Sequence, residues 1–205
     1  MTAILSATVV GSIFLLIAEF PYNPIKEMLA NSGISFYFYQ VFNSTFNVLA
    51  LICVTTIWYY YAKNDKVDPI GNIVTSLISF LIVSNQFLFV DNQKIDGVLS
   101  LANTLSSRGM VASIIVSLVS SYLYCSLIHK KITIKMPDSV PTGVQNSFAA
   151  LIPSFLILSF FTIVYAIIHQ ISNGDLIDLI YRIVQLPLLG LTDSLGGVII
   201  VGFTV

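Results

Sequence analysis

Long stretches without a charged residue alternate with short polar ones along the chain. The apolar runs cover 1–18, 36–62, 69–90, 109–128, 144–172 and 194–205. The middle four each exceed the roughly 20 residues needed to cross a hydrocarbon core of about 30 Å at about 1.5 Å per helical residue. Inside lipid a backbone must satisfy its own hydrogen bonds, and the runs lack the short alternation of barrel strands, so they are expected to be helices. The first run leads from Met1-Thr2-Ala3 to Glu19-Phe20-Pro21 without a basic start or a small-residue cleavage site, so it reads as a span and not a signal peptide. The expected fold is an all-α polytopic membrane helix bundle with five complete spans and a partial sixth at 194–205.

Local patterns add detail. Phe36-Tyr37-Phe38-Tyr39 and Trp58-Tyr59-Tyr60-Tyr61 stand at opposite ends of the second run, as interfacial aromatic belts would. Small residues recur every fourth position at Ala3, Ala7 and Gly11, at Gly71, Thr75 and Ser79, and at Gly109, Ser113, Ser117 and Ser121. Such stripes let helix backbones approach closely in a bundle or dimer; the second reading is a path lined with hydroxyls. Pro141 suits the first turn of the fifth helix, where no backbone bond is lost, whereas Pro153 lies inside that helix and is expected to kink it. Residues 175–187 place Leu176, Leu179, Ile180, Ile183 and Val184 on one face, predicting a short amphipathic helix at the interface after the turn Ser172-Asn173-Gly174.

Composition confirms the membrane reading and narrows the function classes. The 205 residues are 56% hydrophobic and 9% charged, against about one quarter charged in soluble domains. The net charge of −1 gives no basic excess for nucleic acid. Cys53 and Cys125 lie in apolar runs, without a disulfide framework or metal spacing. Lys63, Lys66, Lys130, Lys131 and Lys135 fall in loops on one side, and Lys26, Lys94, Arg108 and Arg182 on the other. The triple cluster after the fourth run assigns its side, and the N-terminus with it, to the cytoplasm.

Polar residues near the ends of spans are the candidates for function. Asn85 and Gln86 interrupt the third run, Arg108 precedes the fourth and Asp193 precedes the last. These four are the candidate substrate-binding residues. The alternative roles are interhelix hydrogen bonding for Asn85 and Gln86, an interfacial snorkelling cation for Arg108, and a helix N-cap for Asp193. Glu19 reads as interfacial; His129 and His169 read as solvated residues at span ends or as proton carriers. No phosphate loop, zinc spacing, nucleophile elbow or catalytic constellation is present, and neither cofactor nor metal is expected.

The run Met136-Pro137-Asp138-Ser139-Val140-Pro141, followed by Ser147-Phe148-Ala149-Ala150-Leu151-Ile152-Pro153, resembles the signature loop of enzyme IIC of the phosphotransferase-system sugar transporters, in the lactose, cellobiose and diacetylchitobiose branch. Val10-Gly11-Ser12-Ile13-Phe14-Leu15-Leu16-Ile17, Lys66-Val67-Asp68-Pro69 and Asp193-Ser194-Leu195-Gly196-Gly197 support the resemblance, which covers essentially the whole chain. It implies a multi-pass protein of a bacterial plasma membrane and a homodimer joined largely through its N-terminal helices. It also implies translocation of a disaccharide that the phosphocysteine of the B component phosphorylates, with the A component, HPr and enzyme I upstream.

Members of that family are about twice as long, and their His-Gly element and hairpin glutamate, which bind the sugar, have no counterpart here. The resemblance therefore implies one membrane domain, 1–205, corresponding to the N-terminal half without the sugar-binding half. Phosphotransfer chemistry would lie in the assembled complex. Two rival readings are a structural or dimerisation remnant that transports nothing, and an ion-coupled permease, which the scarcity of deep charges disfavours.

Overall fold

The computed structural model describes residues 2–90, 93–137, 139–172 and 176–185. Helix α1 (Thr2–Ala18) is followed by a short α2 (Asn23–Asn31), then α3 (Ile34–Phe46), α4 (Leu49–Asn64), α5 (Pro69–Val83), α6 (Ser107–His129), α7 (Thr142–Ser172) and α8 (Leu176–Ile180). Three apolar helical segments, Ile34–Asn64, Ser107–His129 and Thr142–Gln170, are long enough to cross a membrane. The shorter Ile4–Ala18 and Pro69–Val83 complete five apolar helical segments in the described residues. The expected partial sixth span, 194–205, lies outside them.

Two long runs are more broken than their hydropathy suggests. The second is divided between α3 and α4 at Asn47-Val48, where Asn47 Nδ2 donates to Asn43 Oδ1 at 3.0 Å. The third run does not continue as a helix to residue 90. It stops at Val83, and Phe87–Val90 (β1) pairs antiparallel with Gln93–Asp96 (β2), Val90 opposite Gln93. The alternation Phe87, Phe89 before Asp91-Asn92 is a hairpin signal that the hydropathy of the run conceals. The amides of Gly97 and Val98 close the hairpin by donating to the Gln86 carbonyl at 2.7 and 3.2 Å, with Gly97 at φ 77°.

The packing order follows from the small residues. Gly109 lies beside Ala50, 3.6 Å from where a Cβ would stand to the alanine methyl, so α6 starts alongside α4 and runs parallel to it. Ser76 Oγ donates to Ser120 Oγ at 3.4 Å, and a Cβ on Gly71 would meet the Tyr124 hydroxyl, so α5 returns antiparallel. Thr75 and Ser154 hydroxyls lie 2.6 Å apart, joining α7 to α5. Gly11 packs on Thr45 and Phe46, and Phe14 on Phe38 with ring centroids 5.8 Å apart, so α1 lies on α3. Gly11 of the first stripe and the second and third stripes therefore lie at interhelix contacts. Most of their hydroxyls already bond their own helix: Thr75 to the Gly71 carbonyl, Ser79 to Thr75, Ser113 to Met110 and Ser117 to Ile114.

The core centres on Val54, Trp58, Phe80, Val83, Ala112, Val116 and Tyr124. Trp58 is fully buried there, unlike the interfacial position expected of it, while Tyr59, Tyr60, Phe36 and Tyr37 do point outward. Leu176, Ile177 and Ile180 of α8 pack on this core. Ile183, expected on the same apolar face, is exposed because the chain passes into a π-helical turn, Tyr181–Gln185, which shifts the periodicity. Helix α7 continues through Pro153, whose ring is fully buried. The Pro141 carbonyl accepts from Val144 and Gln145 at 3.0 and 3.1 Å, so this proline stands just before α7. The Gln145 side chain reaches back to the carbonyls of Val140 and Pro137, tying the proline-rich loop to the helix it precedes.

Helices α4 and α6 end in the same way at the same end of the bundle. Val67 N–H donates to the Ala62 carbonyl and Lys66 N–H to Lys63; likewise Ile132 donates to Leu127 and Lys131 to Ile128. Both are Schellman caps. Their left-handed position, usually glycine, is held by Lys66 at φ 57° and Lys131 at φ 58°.

At the α1–α2 corner the Glu19 carboxylate accepts from Lys26 and from the Tyr39 hydroxyl. Glu19 is partly exposed, in keeping with its expected interfacial position. The Lys26 bond, then the Tyr39 bond, hold its carboxyl below the ordinary carboxylate range. A depressed pKa contributes stability that is present above the unfolded value, near 4.5, and is lost as pH falls through the folded value. Glu19→Gln is thus expected to melt below the wild type at pH 7 in detergent, the difference closing as the pH is taken below 4.5. A Cβ on Gly109 would stand 1.8 Å from the Thr104 carbonyl oxygen, a backbone atom, whereas one on Gly143 meets nothing within 4 Å. Gly109→Ala is expected to cost about 1–3 kcal/mol in detergent unfolding, and Gly143→Ala to be neutral or stabilising.

Candidate functional site

The end of the bundle opposite the lysine-bearing caps carries a polar pocket. Where α5 stops, Ser84 turns its hydroxyl back to the Phe80 carbonyl at 2.7 Å, and the chain extends through Asn85 and Gln86 into the hairpin. The Gln86 amide nitrogen donates to the Leu81 carbonyl at 3.2 Å, which fixes its direction. Helix α7 runs parallel to α5 at this level and brings Tyr165, whose hydroxyl donates to Asn85 Oδ1 at 3.0 Å. A cavity of about 350 Å3 lies between them, lined by Ile82, Ser84, Gln86, Phe87, Asp96, Gly97 and Tyr165.

Its polar groups have mixed character. Asp96 is an acceptor, 3.0 Å from Lys94, whose ammonium in turn sits 4.5 Å from the centre of the Phe87 ring. Gln86 offers an amide oxygen, and Tyr165 an aromatic face with a hydroxyl. Acceptors and an amide beside aromatic rings suit a neutral polyhydroxylated ligand better than an ion. Nothing in the arrangement pairs a nucleophile with a base, and no group of three His, Cys, Asp or Glu residues is placed to hold a metal among the described residues.

Of the four expected substrate-binding residues, Gln86 lines this cavity, while Asn85 reaches it only through its bond from Tyr165. Arg108 does not line this cavity: its guanidinium bonds Asn103 Oδ1 at 3.5 Å and lies 4.8 Å from the centre of the Tyr181 ring, anchoring the π-helical turn after α8. Asp193 lies outside the described residues. Tyr165 and Asp96 were missed by the sequence reading. Tyr165 sits in an apolar helix with no local signal, and Asp96 joins the site only through the hairpin. His169 stacks obliquely near Tyr165, with ring centroids 5.8 Å apart, and His129 is exposed at the end of α6.

A second cavity, of about 360 Å3, lies between α5 and α7 nearer the lysine-bearing end, with Asp68, Thr75, Asn146, Ser147 and Ser154 on its wall. Asp68 is occupied as the N-cap of α5, accepting from Gly71 N–H at 3.4 Å ahead of Pro69. Thr75 and Ser154 are occupied with one another. Ser147 returns its hydroxyl to the Gly143 carbonyl at 2.9 Å, which leaves Asn146 as the remaining polar group on this wall.

Comparison with known proteins gives consistent results. The family described as "Phosphotransferase system, EIIC" matches residues 1–205. The chain is 30% identical to the oligo-beta-mannoside-specific EIIC component of Bacillus subtilis (strain 168) over 190 residues, which is 92% of this chain and 43% of that protein. It is 27% identical to the cellobiose-specific EIIC component of Geobacillus stearothermophilus over 201 residues, 94% of this chain and 44% of that protein. The crystal structure of the transporter ChbC, the IIC component from the N,N'-diacetylchitobiose-specific phosphotransferase system, superposes with a TM-score of 0.89 at 30% identity, covering 96% of this chain and 48% of ChbC. The chain thus spans about half the length of the proteins it matches. With the whole of its sequence matched, the chain belongs to the EIIC family of the phosphotransferase system.

Proposed function

We propose that this protein is the membrane component of a phosphotransferase-system permease for a disaccharide of the cellobiose, chitobiose or lactose class, working with a phosphorylated B component. The observation that carries the reading is the 0.89 TM-score to ChbC over nearly the entire chain, together with relatives named for cellobiose and oligo-beta-mannosides. The chemistry agrees with it: the chain offers apolar helices exposed on their outer faces, a polar and aromatic pocket at one end and, among the described residues, no charged side chain in the core. Within this reading the 205 residues form the scaffold half of the transport unit, and Asn85, Gln86 and Tyr165 belong to the route by which the sugar enters or leaves.

The lysine-bearing end is assigned to the cytoplasm. Lys63, Lys66, Lys130, Lys131 and Lys135 cluster in loops there, and the N-terminus is assigned to the same side by the alternation of the spans. The host is a bacterium and the membrane its plasma membrane. A homodimer would use the outer face of α1, where Leu5, Val9, Ile13 and Leu16 are exposed while Gly11 is engaged with α3.

Transport by the full-length protein distinguishes the readings. Labelled cellobiose or chitobiose is expected to accumulate as its phosphate only in cells with the general phosphotransferase proteins. Uptake of free sugar in cells lacking them, abolished by an uncoupler, would establish an ion-coupled permease instead. Saturable disaccharide binding by the 205-residue chain alone would exclude the remnant reading. Within the permease, Gln86→Ala and Tyr165→Phe are each expected to raise the half-saturating sugar concentration about fivefold, the worth of one hydrogen bond, without changing the amount of protein in the membrane.

A further inference from the structure

We propose that the groove between α6 and α7 at the lysine-bearing end is a binding site for an anionic phospholipid, with an acyl chain lying along the groove and the phosphate on Lys130. The groove, of about 250 Å3, has an apolar wall of Leu127, Leu156, Ile157 and Phe160 and is closed at one end by Ser126 and Lys130. Leu156 and Phe160 are 43% and 44% exposed on the outer side of α7, so the groove opens toward the surrounding lipid. From Leu123 to Lys130 it extends along seven residues of α6, about 10 Å. That is roughly two thirds of the 15 Å depth of one leaflet's hydrocarbon.

Charge selects the headgroup. Among the described residues Lys130 is the one ionisable residue lining the groove, and it sits at the C-cap of α6, where the chain leaves the apolar run. Its neighbour Lys131 is exposed, and so is Lys135 further along the same loop. Asp65 and His129, the other titratable groups at this end of α6, line a separate pocket against α4 together with Tyr61 and Cys125. Lys130 and Ser126 border both pockets, so the lysine stands between the carboxylate side and the acyl groove. A phosphodiester there meets an ammonium and a hydroxyl donor while its chain covers leucine and phenylalanine. A zwitterionic lipid would bring its own cation beside Lys130, and a soluble anion would leave the apolar wall uncovered.

The test is native mass spectrometry of the full chain in detergent, titrated with phosphatidylglycerol or phosphatidylcholine. Phosphatidylglycerol is expected to be retained in preference to phosphatidylcholine. Lys130→Gln should weaken its retention about fivefold, the effect of one basic residue at a membrane surface. Leu127→Trp, which fills the groove and keeps the charge, should weaken both lipids. Lys63→Gln carries the same charge change on α4 and should leave retention unchanged. Equal loss in the Lys130→Gln and Lys63→Gln variants would reduce the effect to general surface charge and overturn the site. Equal retention of the two lipids by the wild type, or displacement by glycerol phosphate at comparable concentration, would also overturn it. So would failure of the wild type to retain any phosphatidylglycerol, which is the outcome expected if another protein segment fills the groove.

Discussion

The structure depends on how closely α4, α5, α6 and α7 can approach one another. In lipid the hydrophobic effect gives helices little reason to associate, so association rests on dispersion between well-fitted surfaces. The chain achieves the fit with residues that have almost no side chain. Ala50, Ala62, Ser76, Ser79, Ser113, Ser117 and Ser120 are fully buried at the contacts, and Gly71 and Gly109 lie where a methyl group would strike a neighbour. The cost of burying so many hydroxyls is offset locally. Thr75, Ser79, Ser113 and Ser117 return a hydrogen bond to a carbonyl three or four residues earlier. Buried hydroxyls that have already spent their one proton in this way have little to offer a passing sugar, which is the physical reason for reading the stripes as packing surfaces.

Among the described residues the polar side chains not spent on packing the helix centres lie toward the ends of the bundle, and the two ends differ in kind. One end has twin Schellman caps with lysine at the left-handed position. That conformation disfavours a residue bearing a Cβ by about 1–2 kcal/mol, yet the charge stands at the negative pole of each helix dipole. The other end carries Lys26, Lys94 and Arg108, each engaged with its own partner, Glu19, Asp96 and the Tyr181 ring. It has a hairpin, a cavity with an amide, a carboxylate and a tyrosine, and an arginine laid over the Tyr181 ring. An end rich in cations suits contact with anionic phosphates, and an end with mixed donors and aromatic faces suits hydroxyls.

Three buried polar groups stand apart from this economy. Trp58 Nε1, the Asn72 amide and Ser121 Oγ have no hydrogen-bond partner among the described residues. Each lies on a helix of the close-packed centre, in α4, α5 and α6 respectively. A buried amide without a partner is expensive in a low-dielectric interior. Asn72 is notable in lying one turn from the Asp68 cap of α5, beside the point where Gly71 lets Tyr124 and Ala150 come close.

The sequence by itself determined the order of the five apolar helical segments among the described residues, because a long charge-free stretch satisfies its backbone in lipid most readily as a helix. It also determined the family, since the segment from Met136 to Pro153 is a local pattern that survives without any knowledge of contacts. What hydropathy could not see was any feature whose residues are as apolar as the helix before them. Phe87–Val90 is an example: its four residues continue the greasy run of α5, and only the pairing with Gln93–Asp96 shows that it is a strand. Trp58 is another, since an aromatic at the end of a span is equally at home at an interface or in a core, and only its packed neighbours decide. The candidate site shows the same division. Asn85 and Gln86 were legible because polar residues interrupt an apolar run, while Tyr165 entered because α7 lies parallel to α5, 80 residues away in sequence from its partner Asn85. Periodicity and charge are properties of neighbouring residues and can be read in order; the company a side chain keeps across helices is fixed only when those helices pack.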